Sequence, residues 1–193
     1  VAQTANRVDV LTADEFRATV QEHYGVANPN HPSLALLGTA NTDWQKLIYR
    51  DAYGWDNNFS VSGAIGGQLP FRLSVGYLNQ EGILKTDKFN RWSTALNLSP
   101  KLFNDHLSVN VNLKLSQTKN RFADAGAVGA AASFDPTQPV NAVNKYGGYY
   151  EWLRSDGVPI GTNGGSTAPN PLSLLDYRNN RSEVNRFIGN VQL

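Results

Sequence analysis

From Asn57 onward, apolar and polar residues alternate with a period of two. Phe59, Val61, Gly63 and Ile65 alternate with Ser60, Ser62, Ala64 and Gly66. After a break read at Leu69-Pro70, Phe71, Leu73, Val75 and Tyr77 alternate with Arg72, Ser74 and Gly76. Trp92, Thr94, Leu96 and Leu98 follow, set against Arg91, Ser93, Ala95 and Asn97. The clearest run is Leu107, Val109, Val111, Leu113 and Leu115 against Ser108, Asn110, Asn112, Lys114 and Ser116. A last run sets Phe187, Gly189, Val191 and Leu193 against Arg186, Asn190 and Gln192. Each pattern predicts a strand with one apolar and one polar face, and the first two runs predict a tight hairpin. A soluble antiparallel sheet with one wet face gives this pattern, and so does a transmembrane barrel with a watery lumen. Runs of about ten residues match the roughly 9–11 that cross a bilayer at a tilt; soluble strands more often have about 5–6. Aromatics lie near the run ends (Phe59, Phe71, Tyr77, Phe89, Trp92, Phe187), as in an interfacial girdle, although soluble sheets show this too.

Residues 1–56 follow another rhythm. Val8, Val10 and Leu11 close an extended stretch. Thr12 and Glu15 form a capping box, predicting a helix over about 13–23 with Phe16, Val20 and Tyr24 on one face and Gly25 as its stop. The segment Asn28-Pro29-Asn30-His31-Pro32 is a loop. Thr42 and Gln45 read as a second capping box, opening a helix over about 43–51 that aligns Trp44, Leu47 and Ile48.

Residues 118–181 read as one long connection, unusual inside a compact soluble domain but ordinary for an outer loop of a membrane barrel. In such barrels short turns face the periplasm and long loops face outward. The short connections at 68–70 and 100–105 and the longer ones at 80–88 and 118–181 then set the polarity. The division is 1–56, the end of a strand plus a helical outer loop; 57–117, four antiparallel barrel strands; 118–181, a long extracellular loop; and 182–193, the start of the next strand. On this reading both ends of the chain are cut.

Composition sharpens the picture. Lys plus Arg number 17 against 16 Asp plus Glu, a net charge of +1, which carries no electrostatic signature for nucleic acid. Charged residues are only 17%. The polar character comes instead from 21 Asn, which suits lumen positions and outer loops. Cys is absent, excluding disulfides and thiolate sites, and Met is absent, as expected of a processed chain or a fragment. No run of about 18 apolar residues provides a membrane-spanning helix.

Candidate chemistry is sparse. His23, His31 and His106 lack partners at metal-ligand spacing, no glycine-rich loop has a phosphate-binding context, and no catalytic constellation or cofactor is read. Asp14 and Glu15 are explained by the helix N-terminus. The aromatic group Tyr146, Tyr149, Tyr150 and Trp152 is the candidate contact site. Its rings can stack on sugar faces, with Glu151, Arg154 and Asp156 nearby for hydroxyls, or can pin the loop to a protein partner.

Several motifs in collinear order carry a family likeness. Asn41-Thr42-Asp43-Trp44-Gln45 is followed by Asn58-Phe59-Ser60-Val61-Ser62-Gly63 and by Gly76-Tyr77-Leu78-Asn79-Gln80-Glu81-Gly82-Ile83. Then come Phe89-Asn90-Arg91, Ala95-Leu96-Asn97-Leu98, Asp135-Pro136-Thr137-Gln138-Pro139-Val140, Asn170-Pro171-Leu172 and Arg186-Phe187-Ile188-Gly189-Asn190. The set resembles the SusC/RagA family of TonB-linked outer-membrane transporters of Bacteroidetes. The resemblance implies a 22-stranded barrel with a plug, energised through TonB, lidded by a SusD-like lipoprotein and importing oligosaccharides or peptides. No plug or TonB-contact segment is seen in this sequence. The expected fold is therefore mainly β: early antiparallel strands of a transmembrane β-barrel with a two-helix extracellular loop, in the bacterial outer membrane. Asn110, Asn112 and Lys114 would face the lumen and the opposite face would meet lipid. The alternative from another class is a soluble all-β glycan-binding module using Tyr149, Tyr150 and Trp152.

Overall fold

The computed structural model describes residues 1–4, 6–103, 106–144, 147–153 and 168–193. Its strands are β1 (Gly54–Ile65), β2 (Leu69–Glu81), β3 (Lys88–Leu98), β4 (Lys101–Leu102), β5 (Leu107–Ser108), β6 (Asn110–Phe122) and β7 (Asn180–Gln192). The five long strands form one antiparallel sheet in the order β1-β2-β3-β6-β7, which is not closed. Each has 11 to 13 residues. That is enough to cross a bilayer even when steeply tilted.

Several local expectations shift. The break at Leu69-Pro70 falls instead at 66–68. Gly66 and Gly67 take φ of 60° and 73°, and Leu69 and Pro70 already pair with Ile65 and Ala64. Glycine is needed there because a Cβ disfavours the left-handed region. Pro70 is tolerated at the second strand position, near the end of the ladder. The run 107–116 is not one strand. Leu107 and Ser108 close a small hairpin on Leu102 and Lys101, and the Val109 N–H donates to the Pro100 carbonyl (3.1 Å). Strand β6 then runs on past Gln117 to Phe122, paired throughout with β7.

The helices lie at the sheet end where β1 and β3 begin and β2 and β6 finish. Helix α1 (Ala13–Val20) has the expected capping box and continues as a π-helical turn, Gln21–Gly25. Helix α2 (Pro32–Ala35) is capped by the His31 ring, which accepts the Ser33 N–H. Helix α3 (Trp44–Ile48) is shorter than expected and is not opened by Thr42. Asp43 is its cap, accepting the Lys46 N–H at 2.9 Å. The Thr42 hydroxyl donates to the Gln138 carbonyl, and the Gln45 amide pairs with the backbone of Val8 in both directions. The helix stops at Tyr49 because that residue turns extended and bridges to Leu84. Two helices arise within the long connection, α4 (Gly126–Ser133) and α5 (Pro171–Tyr177).

Among the described residues, every buried apolar side chain lies outside the long strands. The core is Trp44, Ile48, Ala127, Ala131, Phe134 and Leu175, drawn from α3, α4 and α5. The molecule is thus a folded head on one end of a sheet whose own faces are bare.

Candidate functional site

Strand register sorts the sheet residues onto two faces of opposite chemistry. One face carries the rows Gly63–Phe71–Leu98–Val111–Val191, Val61–Leu73–Leu96–Leu113–Gly189 and Phe59–Val75–Thr94–Leu115–Phe187. Above them lies Asn57–Tyr77–Trp92–Gln117–Asn185, whose Tyr77 and Trp92 rings touch with centroids 4.5 Å apart. The next row, Trp55–Asn79–Asn90–Lys119–Glu183, is polar apart from the exposed Trp55 on β1. From Ile65 to the aromatic row the band runs about 27 Å along a strand, at ~3.4 Å per residue. Phe59, Phe187 and Val191 on this face are 71%, 66% and 65% exposed. An apolar band of this height edged by aromatics has the dimensions of the lipid-facing band of a transmembrane barrel, and bare in water it would drive association.

The other face is polar. Its rows include Ser62–Arg72–Asn97–Asn112–Asn190, Ser60–Ser74–Ala95–Lys114–Ile188, Asn58–Gly76–Ser93–Ser116–Arg186 and Asp56–Leu78–Arg91–Thr118–Val184. Asn110, Asn112 and Lys114 therefore share this polar face. Sequence reading singled out those three on β6; Arg72, Arg91 and Arg186 join them once the register is known. Strand parity alone was the signal for them.

The head is knotted by the motifs Asp135-Pro136-Thr137-Gln138 and Asn170-Pro171-Leu172. The Trp44 indole donates to the Asp135 carbonyl (2.9 Å), the Gly38 N–H to the Thr137 hydroxyl (2.9 Å) and the Gln138 amide to the Leu36 carbonyl (2.8 Å). Asn170 is fully buried and caps α5, accepting the Leu172 N–H while its amide donates to the carbonyls of Val140 and Tyr150. Glu151 accepts the Asn170 N–H and the Ser173 hydroxyl (2.8 Å); burial nonetheless holds its carboxyl above the usual range. Arg50 ties α3 to the β2–β3 loop, donating to the carbonyls of Gly82 (3.0 Å) and Asp87 (2.7 Å). These polar knots join three loops far apart in sequence into one body. Their partners are long-range, so no local spacing announced them.

The aromatic candidates divide. Tyr146 and Asp156 lie outside the described residues. Tyr150 and Trp152 meet edge to face (5.5 Å between centroids), and Tyr150 meets Phe134, which packs on Trp44. Such pairs each add about 0.5–1.5 kcal/mol beyond area burial. Tyr149 points elsewhere, packing on Tyr177 and donating its hydroxyl to Asp176. That hydrogen bond, with some burial, pushes the phenol up to about 12. The Tyr177 hydroxyl donates in turn to the Gly147 carbonyl (2.6 Å). Among the described residues, no group of three or more His, Cys, Asp or Glu is placed to hold a metal ion.

A meandering antiparallel sheet with an apolar face, a polar face and a folded head at one end has the build of a segment of a β-barrel wall with its loops. No family model matches the chain. Among curated proteins it is similar to the TonB-dependent receptor SusC of Bacteroides thetaiotaomicron, at 39% identity over 202 aligned positions that take in 100% of this chain and 20% of the relative. It is also similar to the TonB-dependent receptor P26 of Formosa agariphila, at 28% identity over 86% of this chain and 15% of that protein. The chain belongs to the SusC-like TonB-dependent receptors, and it spans about a fifth of the length of SusC.

Proposed function

We propose that this chain is part of the wall and outer loops of a TonB-dependent transporter in the bacterial outer membrane. The whole receptor imports glycans or other nutrient oligomers, oligosaccharide or peptide, with energy passed through TonB and a SusD-like lipoprotein over its outer side. The observation that carries the reading is the two-faced sheet: three apolar rows edged by Tyr77 and Trp92 on one side, and an Asn- and Ser-rich face on the other. In this reading the apolar face meets lipid, and Asn110, Asn112 and Lys114 line the path of the solute. The segments 1–56 and 118–181 lie outside the cell, and residues 57–117 and 182–193 belong to the wall. Tyr149, Tyr150 and Trp152, offered by the head where solute first arrives, are proposed contacts to ligand or lipoprotein, and Tyr146 and Asp156 are proposed as contacts from sequence alone.

Uptake of a labelled oligosaccharide mixture by intact cells tests the function. Cells with the full-length receptor should accumulate label, and cells lacking it, or treated with a proton uncoupler, should not. Accumulation that is the same with and without the receptor rejects the reading.

A further inference from the structure

The polar face carries an unbalanced charge pattern. Arg72, Arg91, Lys114 and Arg186 all lie on it, and Asp56 is the only acidic residue among the five strands on that face. The Asp56 carboxylate is held by the Asn58 amide at the outer edge (2.9 Å). All four cations are exposed. Their contrast with the head is sharp. There, Arg7 pairs with Asp43, Arg17 with Asp14, Arg50 with Glu81 and Arg178 with Asp124. None of the four wall cations has an ion pair or side-chain hydrogen bond among the described residues.

They also converge. All four line one groove of about 570 Å³ on this face. Its floor is made of small residues, among them Ser60, Ser74, Gly76, Ser93 and Ser116, which leave room above the backbone. From strand and residue spacings, neighbouring cations stand roughly 8–14 Å apart at their backbones. Like charges at that separation repel weakly in water but focus potential over a concave surface, drawing in a ligand of opposite sign. The groove's hydroxyls and the amide of Asn58 suit a polyhydroxylated solute better than apolar side chains of a polypeptide. Rings of Arg and Lys select anions in pores by the same physics.

We propose that Arg72, Arg91, Lys114 and Arg186 form an anion-binding basin for acidic oligosaccharides, gripping their carboxylate or sulfate groups while the serine floor meets their hydroxyls. This rests on the transporter reading only in identifying the polar face with the lumen.

The test uses the full-length receptor, purified in detergent, with a uronate oligosaccharide, a sulfated oligosaccharide and a neutral malto-oligosaccharide of equal length. The wild type should bind at least one acidic probe more tightly than the neutral one, and more weakly as salt rises. The combined variant Arg72→Gln, Arg91→Gln, Arg186→Gln should lose acidic binding by at least about tenfold and most of its salt dependence, with neutral binding unchanged. Uronate against sulfate tells which anion the basin prefers. Equal wild-type affinity for acidic and neutral probes overturns the proposal, as does unchanged acidic binding in the combined variant. New protease cleavage of another part of the receptor in that variant, without loss of acidic binding, means that polypeptide fills the basin, and also overturns it. The barrel itself is read separately by its heat-modifiable gel mobility. Loss of acidic binding in a variant that keeps the wild-type mobility supports the basin, and a wild type that binds acidic probes yet never shows that mobility rejects the membrane-wall reading alone.

Discussion

Gly38 sits so close to Thr137 that a Cβ built on it would clash with the Thr137 carbonyl oxygen. The contact belongs to the Asp-Pro-Thr-Gln knot that holds the segment between α2 and α3 to the long connection. Gly38→Ala should therefore destabilise the head by about 1–3 kcal/mol, as overpacking does. Limited proteolysis of the intact receptor should show faster cleavage within the outer loops, since cleavage follows the open population. Glu151 gives a pH prediction. Burial raises its folded-state pKa, so the stability tied to its protonated form is fully present below the ordinary carboxylate value and fades as pH rises through the raised one. Loop protection should thus increase on mild acidification. Glu151→Gln should keep the contacts to Asn170 and Ser173 and remove that part of the pH response. Glu151→Leu should strand the two donors and cost about 1–3 kcal/mol. Of these residues only the Thr12–Glu15 box was legible beforehand, because its partners are three positions apart. Thr42, Gln45, Asn170 and Glu151 take partners far along the chain or across a turn, and local spacing misread the first two.

Strands were more legible than helices. A period of two survives any tertiary context that keeps one face apolar, so the alternating runs map onto β1, β2, β3, β6 and β7. Their ends did not follow, because pairing continues beyond the apolar band into polar rows such as Asn79–Asn90–Lys119–Glu183. Helix α4, with the sequence GAVGAAAS, has small residues all round and no amphipathic stripe to read. Two predictions belong at this scale. Asp43→Ala should cost α3 about 1 kcal/mol through loss of its cap, seen as weaker amide protection over Trp44–Ile48. Leu113→Arg places a charge on the apolar face of β6 in the middle row of the band, level with Val61, and should cost about 2–4 kcal/mol, measured as refolding of the full-length barrel into vesicles.

The whole molecule divides its stabilising forces between two settings. The head folds as water-soluble domains do, on an aromatic and aliphatic core closed by satisfied polar knots. The sheet has ladder hydrogen bonds and bare faces, and its apolar side needs lipid or further protein to cover it. The central claim is that the two faces of β6 meet different solvents. Cysteine is absent from this chain, so single cysteines at successive positions from Val111 to Ser116 can be read one at a time in the full-length receptor, with any cysteine elsewhere in it replaced. A fluorophore on each, in vesicles with brominated lipid tails, reports contact with hydrocarbon. Quenching at 111, 113 and 115, with little at 112, 114 and 116, is the result expected. Uniform quenching along β6, or strong quenching at 112 and 114 instead, would contradict the account.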